Sequence, residues 1–190
     1  MSVYLETERL TLRRFTPADA DLLVELDADP GVMRYLSGGR ATPRAVVEQE
    51  IIPLYLRHYR DTPDLAWWAA LDRDGGEFLG WFEFRPTGRE AGEVELGYRL
   101  RRAAWGRGLA TEGARALVAR GFGELGVRRV VGYTMAVNLG SRRVLEKAGL
   151  RYVRTFHEDW PDPIAGAEHG EVEYALDRAG WRTAPEYWEP

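Results

Sequence analysis

The chain has 190 residues, a formal net charge of −4, a pI of about 5.5 and no cysteine. This length suits one domain with its own hydrophobic core, and the acidic balance argues against a general nucleic-acid binder. The lack of cysteine excludes disulfides and a cysteine nucleophile.

Residues 1–6 contain no basic segment followed by an apolar run, so we expect no signal peptide. No stretch reaches the length of a membrane span. The sequence shows no internal repeat and no linker, so we interpret residues 1–190 as a single domain and expect a cytoplasmic protein.

The first third of the chain predicts one strand and two helices. Residues 10–16 alternate roughly as in a strand. Thr16 and Pro17 have the positions of an N-cap and a first helical residue. This helix is expected to end near Pro30, and a second helix is expected at about 42–59.

The middle of the chain predicts three successive antiparallel strands. Residues 65–71 and 78–84 are rich in Trp, Phe and Leu, and a glycine-containing hairpin turn at 72–76 separates them. A second turn over 86–92 leads into a strand at 93–100.

Helices and strands alternate from residue 109 onward. The predicted elements are a helix at 109–122, a strand at 127–133, a helix at 138–148, and strands at 150–156 and 171–176. The strand–helix–strand order over 93–133 predicts a parallel pair with a right-handed crossover. The sheet is therefore expected to be mixed, in an α+β or α/β fold.

The segment from Leu100 to Glu112 joins a strand directly to a helix. Gly106 and Gly108 let the backbone approach a ligand closely, and the free N–H groups of the first helical turn favour an anion. Arg107 can add charge-assisted contacts to phosphate. We interpret the segment as a pyrophosphate site, and glycines that serve only a turn are the alternative.

Two nucleotide-binding signatures fit this segment less well. A dinucleotide fold requires G-x-G-x-x-G and an acidic residue at the end of the next strand. Thr111 occupies the third glycine position, and that strand ends in Tyr133-Thr134-Met135. A P-loop requires Gly-Lys-Ser/Thr, which the segment lacks. A nicotinamide-dependent oxidoreductase is therefore a weaker hypothesis.

The same segment resembles the GNAT acetyltransferase superfamily and, within it, the RimJ/RimL-like branch. Gly108, Leu109 and Ala110 match the end of the family's pyrophosphate loop, Gln/Arg-x-x-Gly-x-Gly/Ala, and Trp105 replaces the Gln/Arg. The string Trp-Gly-x-Gly-x-Ala-Thr-Glu is typical of the branch. Further similar segments extend over nearly the whole chain, at 7–13, 95–98, 138–141, 144–150 and 173–176.

The resemblance implies a mixed sheet of about seven strands flanked by helices, with two parallel strands that splay apart at the cofactor site. It implies acetyl-CoA as cosubstrate, with the pantetheine against the strand end at 98–102. Gly97 fits either a bulge in that strand or close packing. The implied cofactor-binding residues are Leu100, Arg101, Arg102, Trp105, Gly106, Arg107, Gly108, Leu109, Ala110, Thr111, Asn138 and Ser141.

Direct acetyl transfer to an amine requires a base, an oxyanion donor and a proton for the sulfur. Glu95 is the first candidate base, with a structural Glu–Arg pair as the alternative, and Glu83 is the second candidate. Ser141 lies one turn into a helix that Asn138 is expected to cap, so its hydroxyl is the leading candidate near the CoA sulfur. The alternative is that Asn138 only caps and that Ser141 only satisfies a backbone group.

The tyrosines that resemble the family's acid, Tyr133 and Tyr152, cannot be positioned from sequence. The histidines His58, His157 and His169 show no ligand spacing, so we expect no metal. Trp160, in the loop between the last two strands, is a candidate substrate contact.

The expected activity is N-acetylation of a protein N-terminal α-amine or a small-molecule amine. The alternative is a non-catalytic acyl-CoA-binding regulatory module of the same fold. We expect a monomer or homodimer with no nucleic-acid or membrane partner.

Overall fold

The structure is a computed structural model in which residues 3–182 are described. Residues 1–2 and 183–190 lie outside this range. The segment 1–6, in which we expect no signal peptide, is therefore described only from Val3 onward. Within 3–182, eight strands form one mixed sheet in the order β1-β2-β3-β4-β5-β6-β8-β7. The strands are β1 (Val3–Glu6), β2 (Leu10–Arg13), β3 (Trp67–Asp72), β4 (Phe78–Pro86), β5 (Glu93–Leu100), β6 (Arg129–Met135), β7 (Arg151–Phe156) and β8 (Glu171–Asp177).

Seven α-helices connect or follow these strands in the described part of the chain. They are α1 (Ala20–Asp27), α2 (Pro30–Ser37), α3 (Arg44–Val46), α4 (Ile52–Asp61), α5 (Leu109–Gly123), α6 (Leu139–Lys147) and α7 (Arg178–Arg182). The mixed sheet flanked by helices confirms the predicted fold class, with eight strands where about seven were expected.

The amino-terminal helices begin at the predicted signals. Thr16 caps a short 3₁₀ turn, Pro17–Asp19, in a capping box, and α1 continues from it. The predicted helix over 42–59 is confirmed as α3 and α4, joined by a π-helical turn, Val47–Ile51. This wider turn directly precedes Pro53, whose ring nitrogen cannot donate the usual helical hydrogen bond.

Three elements were not predicted from the sequence: α2, β1 and the short α7 that follows the last strand. Asp29-Pro30 was read as the end of a helix, yet Asp29 caps α2 by accepting from the N–H of Gly31 at 2.8 Å, with Pro30 as its first residue. The same dipeptide can stop one helix and start the next. β1 was missed because it is an edge strand of only four residues, none of them fully buried, so its sequence carries little hydrophobic alternation.

The strand predictions of the middle and second half are confirmed. β3 pairs antiparallel with β4 through the predicted turn, in which Gly76 has a φ of 68°. β5 pairs parallel with β6, as the strand–helix–strand pattern predicts. Their recorded register runs only from Glu93–Arg129 to Glu95–Val131, although both strands continue further.

The chain forms two compact units. In the described residues the first unit comprises 3–83 and 98–109, and the second unit comprises 84–97 and 110–182. The first has an apolar core that includes Leu10, Leu12, Phe15, Leu26, Trp68 and Phe82. The second has a core that includes Phe84, Leu96, Leu117, Val118, Phe122 and Val130. Each such side chain contributes about 1.5–3 kcal/mol when fully buried. The single-domain interpretation stays a prediction.

Among residues 3–182, none of the helices has the length and apolar character that a membrane crossing requires.

Candidate active site

The predicted pyrophosphate segment forms a tight loop in the first unit. β5 ends at Leu100, a 3₁₀ turn follows at Arg102–Ala104, and α5 begins at Leu109. Gly106 and Gly108 have φ values of 71° and 81°, in the left-handed region that residues with a Cβ rarely adopt. A Cβ on Gly106 would meet nothing within 4 Å, so the backbone conformation, and not crowding, requires glycine there.

Two side chains hold the loop. The indole Nε1 of Trp105 donates to the carbonyl of Leu100 at 2.8 Å and closes the segment on itself. The guanidinium of Arg9 donates through Nη1 to the carbonyl of Arg107 at 2.9 Å. Its Nη2 lies 3.5 Å from the position that a Cβ on Gly108 would take. Arg9 therefore brings a positive charge to the glycine loop from 98 residues away.

Sequence reasoning missed Arg9 as a site residue. It was noted only as part of the opening string 7–13, and nothing local distinguishes it from the other arginines. The available signal was its place just before β2, in a string that resembles the family.

The arginines of the loop differ in their surroundings. Arg101 pairs with Glu25 at 3.0 Å, and Arg102 pairs with Asp29 at 2.6 Å. Arg107 is exposed, and its guanidinium has no recorded contact within residues 3–182. Of the three, Arg107 is thus best suited to bind a phosphate. Cofactor binding by Arg101 and Arg102 stays a prediction. The N–H of Arg101 already donates to the carbonyl of Leu79, and the carbonyls of Arg101 and Arg102 accept from the N–H groups of Ala104 and Trp105.

The first turn of α5 contains the remaining predicted loop residues. Leu109 is buried and anchors the helix start, while Ala110 and Thr111 are partly exposed. The N–H groups of a first helical turn lack intrahelical partners and carry partial positive charge. This arrangement suits a diphosphate.

The second unit presents a charged face of its sheet. The register pairs Glu95 with Val131 in β6, Tyr133 with Glu173, and Met135 with Glu171. Because directly paired residues point to the same side, these side chains share a face with Glu93. We call this the charged face and define it by Glu93, Glu95, Tyr133, Glu171 and Glu173.

The opposite side, the helix face, packs against α6. A Cβ on Gly132 would lie 2.6 Å from the side chain of Leu145. The hydroxyl of Tyr174 donates to Glu146 at 2.8 Å. The helix covers this face, and the charged face lies on the other side of the strands.

Glu95, the first candidate base, is about one-fifth exposed and bonded to Arg85 at 2.7 Å. The bond to Arg85 occupies an oxygen of this carboxylate, so an incoming ammonium group would have to compete with the guanidinium for it. The alternative reading of Glu95, a structural ion pair, gains support from this contact. Glu83, the second candidate, lies opposite Trp67 in the β3–β4 register of the first unit.

Glu93 and Glu173, on the same face as Glu95, also have polar partners. Glu93 accepts from Thr87 at 2.8 Å and lies 3.4 Å from Arg129. Glu173 is bonded to Arg154 at 2.8 Å. Both carboxylates are therefore committed to contacts within the sheet.

Tyr133 lies in the middle of the charged face. Its hydroxyl accepts from Arg89 at 2.8 Å. Burial, followed by the negative charge of Glu173, raises the pKa of Tyr133. Tyr152 is about half-exposed, and its hydroxyl shares a hydrogen bond with Thr155 at 2.8 Å. Of the two tyrosines, only Tyr133 shares a face with the candidate base.

Asn138 caps α6 as predicted. Its Oδ1 accepts from the backbone N–H of Ser141 at 3.2 Å, and its Nδ2 donates to Thr134 at 3.1 Å. Ser141 therefore lies in the first turn, at the positive end of the helix dipole. The cap uses the backbone of Ser141, so this bond makes no demand on its side chain.

The histidines and Trp160 lie elsewhere. His58 contacts the ring of Trp67 edge-on, and His169 is exposed near Glu168. In residues 3–182, no three His, Asp or Glu side chains gather in a group that could hold a metal ion. Trp160 is about half-exposed.

The chain was also compared with known proteins. Residues 9–151 match the family described as "Acetyltransferase (GNAT) domain". The chain is 33% identical over 187 residues to the FsC-acetyl coenzyme A-N(2)-transacetylase of Aspergillus fumigatus, with 93% of this chain and 77% of the relative covered. It is 35% identical over 163 residues to the uncharacterized protein YkkB of Bacillus subtilis, with 85% and 92% covered.

Among solved structures, the ribosomal alpha-N-protein acetyltransferase RimL in complex with coenzyme A superposes with a TM-score of 0.78. The superposition covers 93% of this chain and 98% of that one, at 15% identity, so it bears on the fold alone. The family match spans the glycine loop, both candidate bases and the Asn138–Ser141 cap. The chain therefore belongs to the GNAT acetyltransferases.

Proposed function

We propose that this protein transfers the acetyl group of acetyl-CoA to a primary amine, with the CoA diphosphate on the glycine loop. The observation that carries the proposal is the loop itself. Gly106 and Gly108 both adopt left-handed backbone conformations, and Arg9 and Arg107 flank them directly before α5. Paired glycines, two cations and a helix start together favour a diphosphate over a simple turn.

The chemistry requires an amine to attack the thioester carbonyl and CoA thiolate to leave. We assign Ser141 to the leaving sulfur, because its hydroxyl lies at the positive end of α6. A donor there stabilises developing negative charge without reorganisation. Asn138 positions this turn through its cap.

The pantetheine arm is proposed to lie along the end of β5. The recorded pairing of β5 with β6 ends at Glu95–Val131, after which β6 continues with β8 to Met135. Within the first unit, the N–H of Arg101 donates to the carbonyl of Leu79 at 2.8 Å, and the carbonyl of Leu100 accepts from the indole of Trp105, so the arm would have to share or replace these bonds. Leu100, Arg101 and Arg102 are the backbone contacts proposed there.

A small-molecule amine is the acceptor class that we favour. The Aspergillus relative, whose name specifies N(2)-transacetylation from acetyl coenzyme A, shares 33% identity over 93% of this chain. A protein N-terminal α-amine is the second candidate. It rests on the RimJ/RimL-like string from Trp105 to Glu112.

The test measures binding and turnover separately. Calorimetry with acetyl-CoA, NADH and ATP should show preferential binding of acetyl-CoA. Release of CoA thiol should then be measured with polyamines, aminoglycosides and peptides with a free N-terminus. Equal binding of all three nucleotides would contradict the diphosphate assignment. Binding of acetyl-CoA with no release for any amine would favour the non-catalytic module.

Assembly and location stay predictions. A monomer or homodimer, no nucleic-acid or membrane partner and a cytoplasmic location are expected from the sequence. Size-exclusion chromatography with light scattering would measure the oligomeric state directly.

A further inference from the structure

The glutamates of the charged face are not equivalent. Glu93, Glu95 and Glu173 have the polar partners described above. Glu171 is half-buried, and within residues 3–182 its carboxylate has no recorded hydrogen bond or ion pair. A half-buried charge without a partner costs stability, so such a group points to a function.

Glu171 lies beside the last residue of β6. It is paired with Met135 in the β6–β8 register. The carbonyl of Met135 accepts from the N–H of Asn138 at 2.9 Å, in the turn that leads to α6. On the other edge of β8, Glu171 is paired with Phe156 of β7. Glu171 is thus connected to the Asn138–Ser141 cap through a single residue.

The Asn138–Ser141 cap and the Glu171 side chain lie on opposite sides of the sheet at the end of β6. Thr134, which binds Asn138, points to the helix face, whereas Met135 and Glu171 point to the charged face. If the thiolate leaves toward Ser141, an amine that attacks from the charged face meets Glu171.

Glu95 and Glu171 lie at different positions along the strand direction of the sheet. Its partner Val131 precedes Met135 by four residues, which is about 13 Å along a strand. One amine cannot contact both carboxylates at that separation. The choice between Glu95 and Glu171 can therefore be made by experiment.

The surroundings of Glu171 suit a base. Burial raises its pKa, and the negative charge of Glu158 raises it further. A carboxylate with a raised pKa accepts a proton more readily near neutral pH than one held by arginine. The neighbouring strands and the loop between β7 and β8 carry the other charged and titratable groups. They include Glu158, Asp159, Asp162, Glu168, His157, His169, Arg151, Arg154, Arg129, Tyr133, Glu173 and Asp177.

We propose that Glu171 is the general base that takes a proton from the ammonium group of the acceptor. The freed electron pair on nitrogen forms the bond to the thioester carbonyl carbon, and the carbon–sulfur bond breaks with its pair on sulfur. The second nitrogen proton passes to sulfur, and Glu171 returns its proton to water. The products are the amide and CoA thiol. This assignment rests on the proposed function.

The test compares Glu171→Gln with Glu95→Gln, the same substitution at the rival candidate base on the same face. For Glu171→Gln, turnover at neutral pH should fall about 10²–10³-fold, with acetyl-CoA affinity unchanged. The loss should shrink as the pH rises toward the pKa of the amine, because more acceptor is then already neutral. Glu95→Gln should show neither the large loss nor its pH dependence.

Stability gives an independent measurement. A carboxyl whose pKa is higher in the folded than in the unfolded state favours folding at low pH, and that contribution is lost as the pH rises. Removing the charge in Glu171→Gln should therefore leave the neutral-pH Tm equal to or above that of the wild type. Glu95→Gln should lower the Tm, because the ion pair between Arg85 and the Glu95 carboxylate is lost.

Three outcomes would overturn the assignment. If Glu171→Gln keeps turnover within about threefold of the wild type, Glu171 is not the base and the proposed function stands. A loss that is constant with pH and accompanied by a lower Tm would make Glu171 structural. If the wild type releases no CoA with any amine of the panel, both proposals fail.

Discussion

The carboxylate of Glu95 accepts a hydrogen bond from the guanidinium of Arg85 at 2.7 Å, across ten residues of chain. Both side chains are less than one-third exposed, so the pair is partly shielded from solvent. Such a pair is expected to stabilise the sheet, and it occupies an oxygen of the Glu95 carboxylate. This pair is the main structural reason to assign Glu95 a structural role and not that of the general base.

We expect Glu95→Gln to destabilise the fold by about 1 kcal/mol and to lower turnover by less than about tenfold. Thermal unfolding and steady-state kinetics measure the two effects. Arg85→Gln is the control, since it removes the same pair from the other side and should give a similar shift in Tm. A turnover loss of about 10²–10⁴-fold in Glu95→Gln alone would instead support Glu95 as the base.

Gly108→Val should reduce acetyl-CoA affinity by more than about tenfold. A β-branched residue is strained at a φ of 81°, and relief of that strain would move the loop. Gly76→Val introduces the same kind of strain, at a φ of 68°, in the β3–β4 turn of the same unit. Calorimetry on both variants separates loss of the site from general destabilisation. Normal binding by Gly108→Val would show that the diphosphate lies elsewhere.

Arg9→Ala should weaken acetyl-CoA binding more than Arg107→Ala. Arg9 supplies charge and also holds the loop through the carbonyl of Arg107, whereas the exposed Arg107 side chain competes with water and salt. Arg9→Lys keeps the charge and should restore only part of the affinity. Titrations at two salt concentrations measure how much of the loss in acetyl-CoA affinity is electrostatic. Equal losses for the two alanine variants would contradict a structural role for Arg9.

Ser141→Ala should lower kcat more than it weakens acetyl-CoA binding, because the hydroxyl is proposed to act on the leaving sulfur. The cap is retained in this variant, since Asn138 accepts from the backbone N–H of residue 141. Asn138→Ala is the complementary variant and should cost about 1 kcal/mol of stability through loss of the cap. Equal losses in affinity and turnover for Ser141→Ala would assign the hydroxyl to ground-state binding.

The elements that short-range chemistry specifies could be predicted from the sequence. The cap of α6 by Asn138 and the capping box at Thr16 depend on groups three residues apart. The left-handed glycines of the loop depend on the backbone of one residue each, and β5 was predicted with the bounds that it has. The local order of strand, helix and strand was sufficient to predict the parallel pair of β5 and β6.

The tertiary structure alone decided which charged residues meet. The Asp29-Pro30 dipeptide carried both a helix stop and a helix start, and the observed α2 shows that both signals act. Arg9 reaches the glycine loop across 98 residues, and among residues 3–182 no partner is recorded for the Glu171 carboxylate, whereas Glu95 is bonded to Arg85. Alternation along a strand tells which face a glutamate occupies, but its partner depends on strand register and on side chains from other segments. The sequence by itself therefore determined the family, the backbone of the glycine loop and the helix caps, whereas the pairing of the carboxylates required the folded chain.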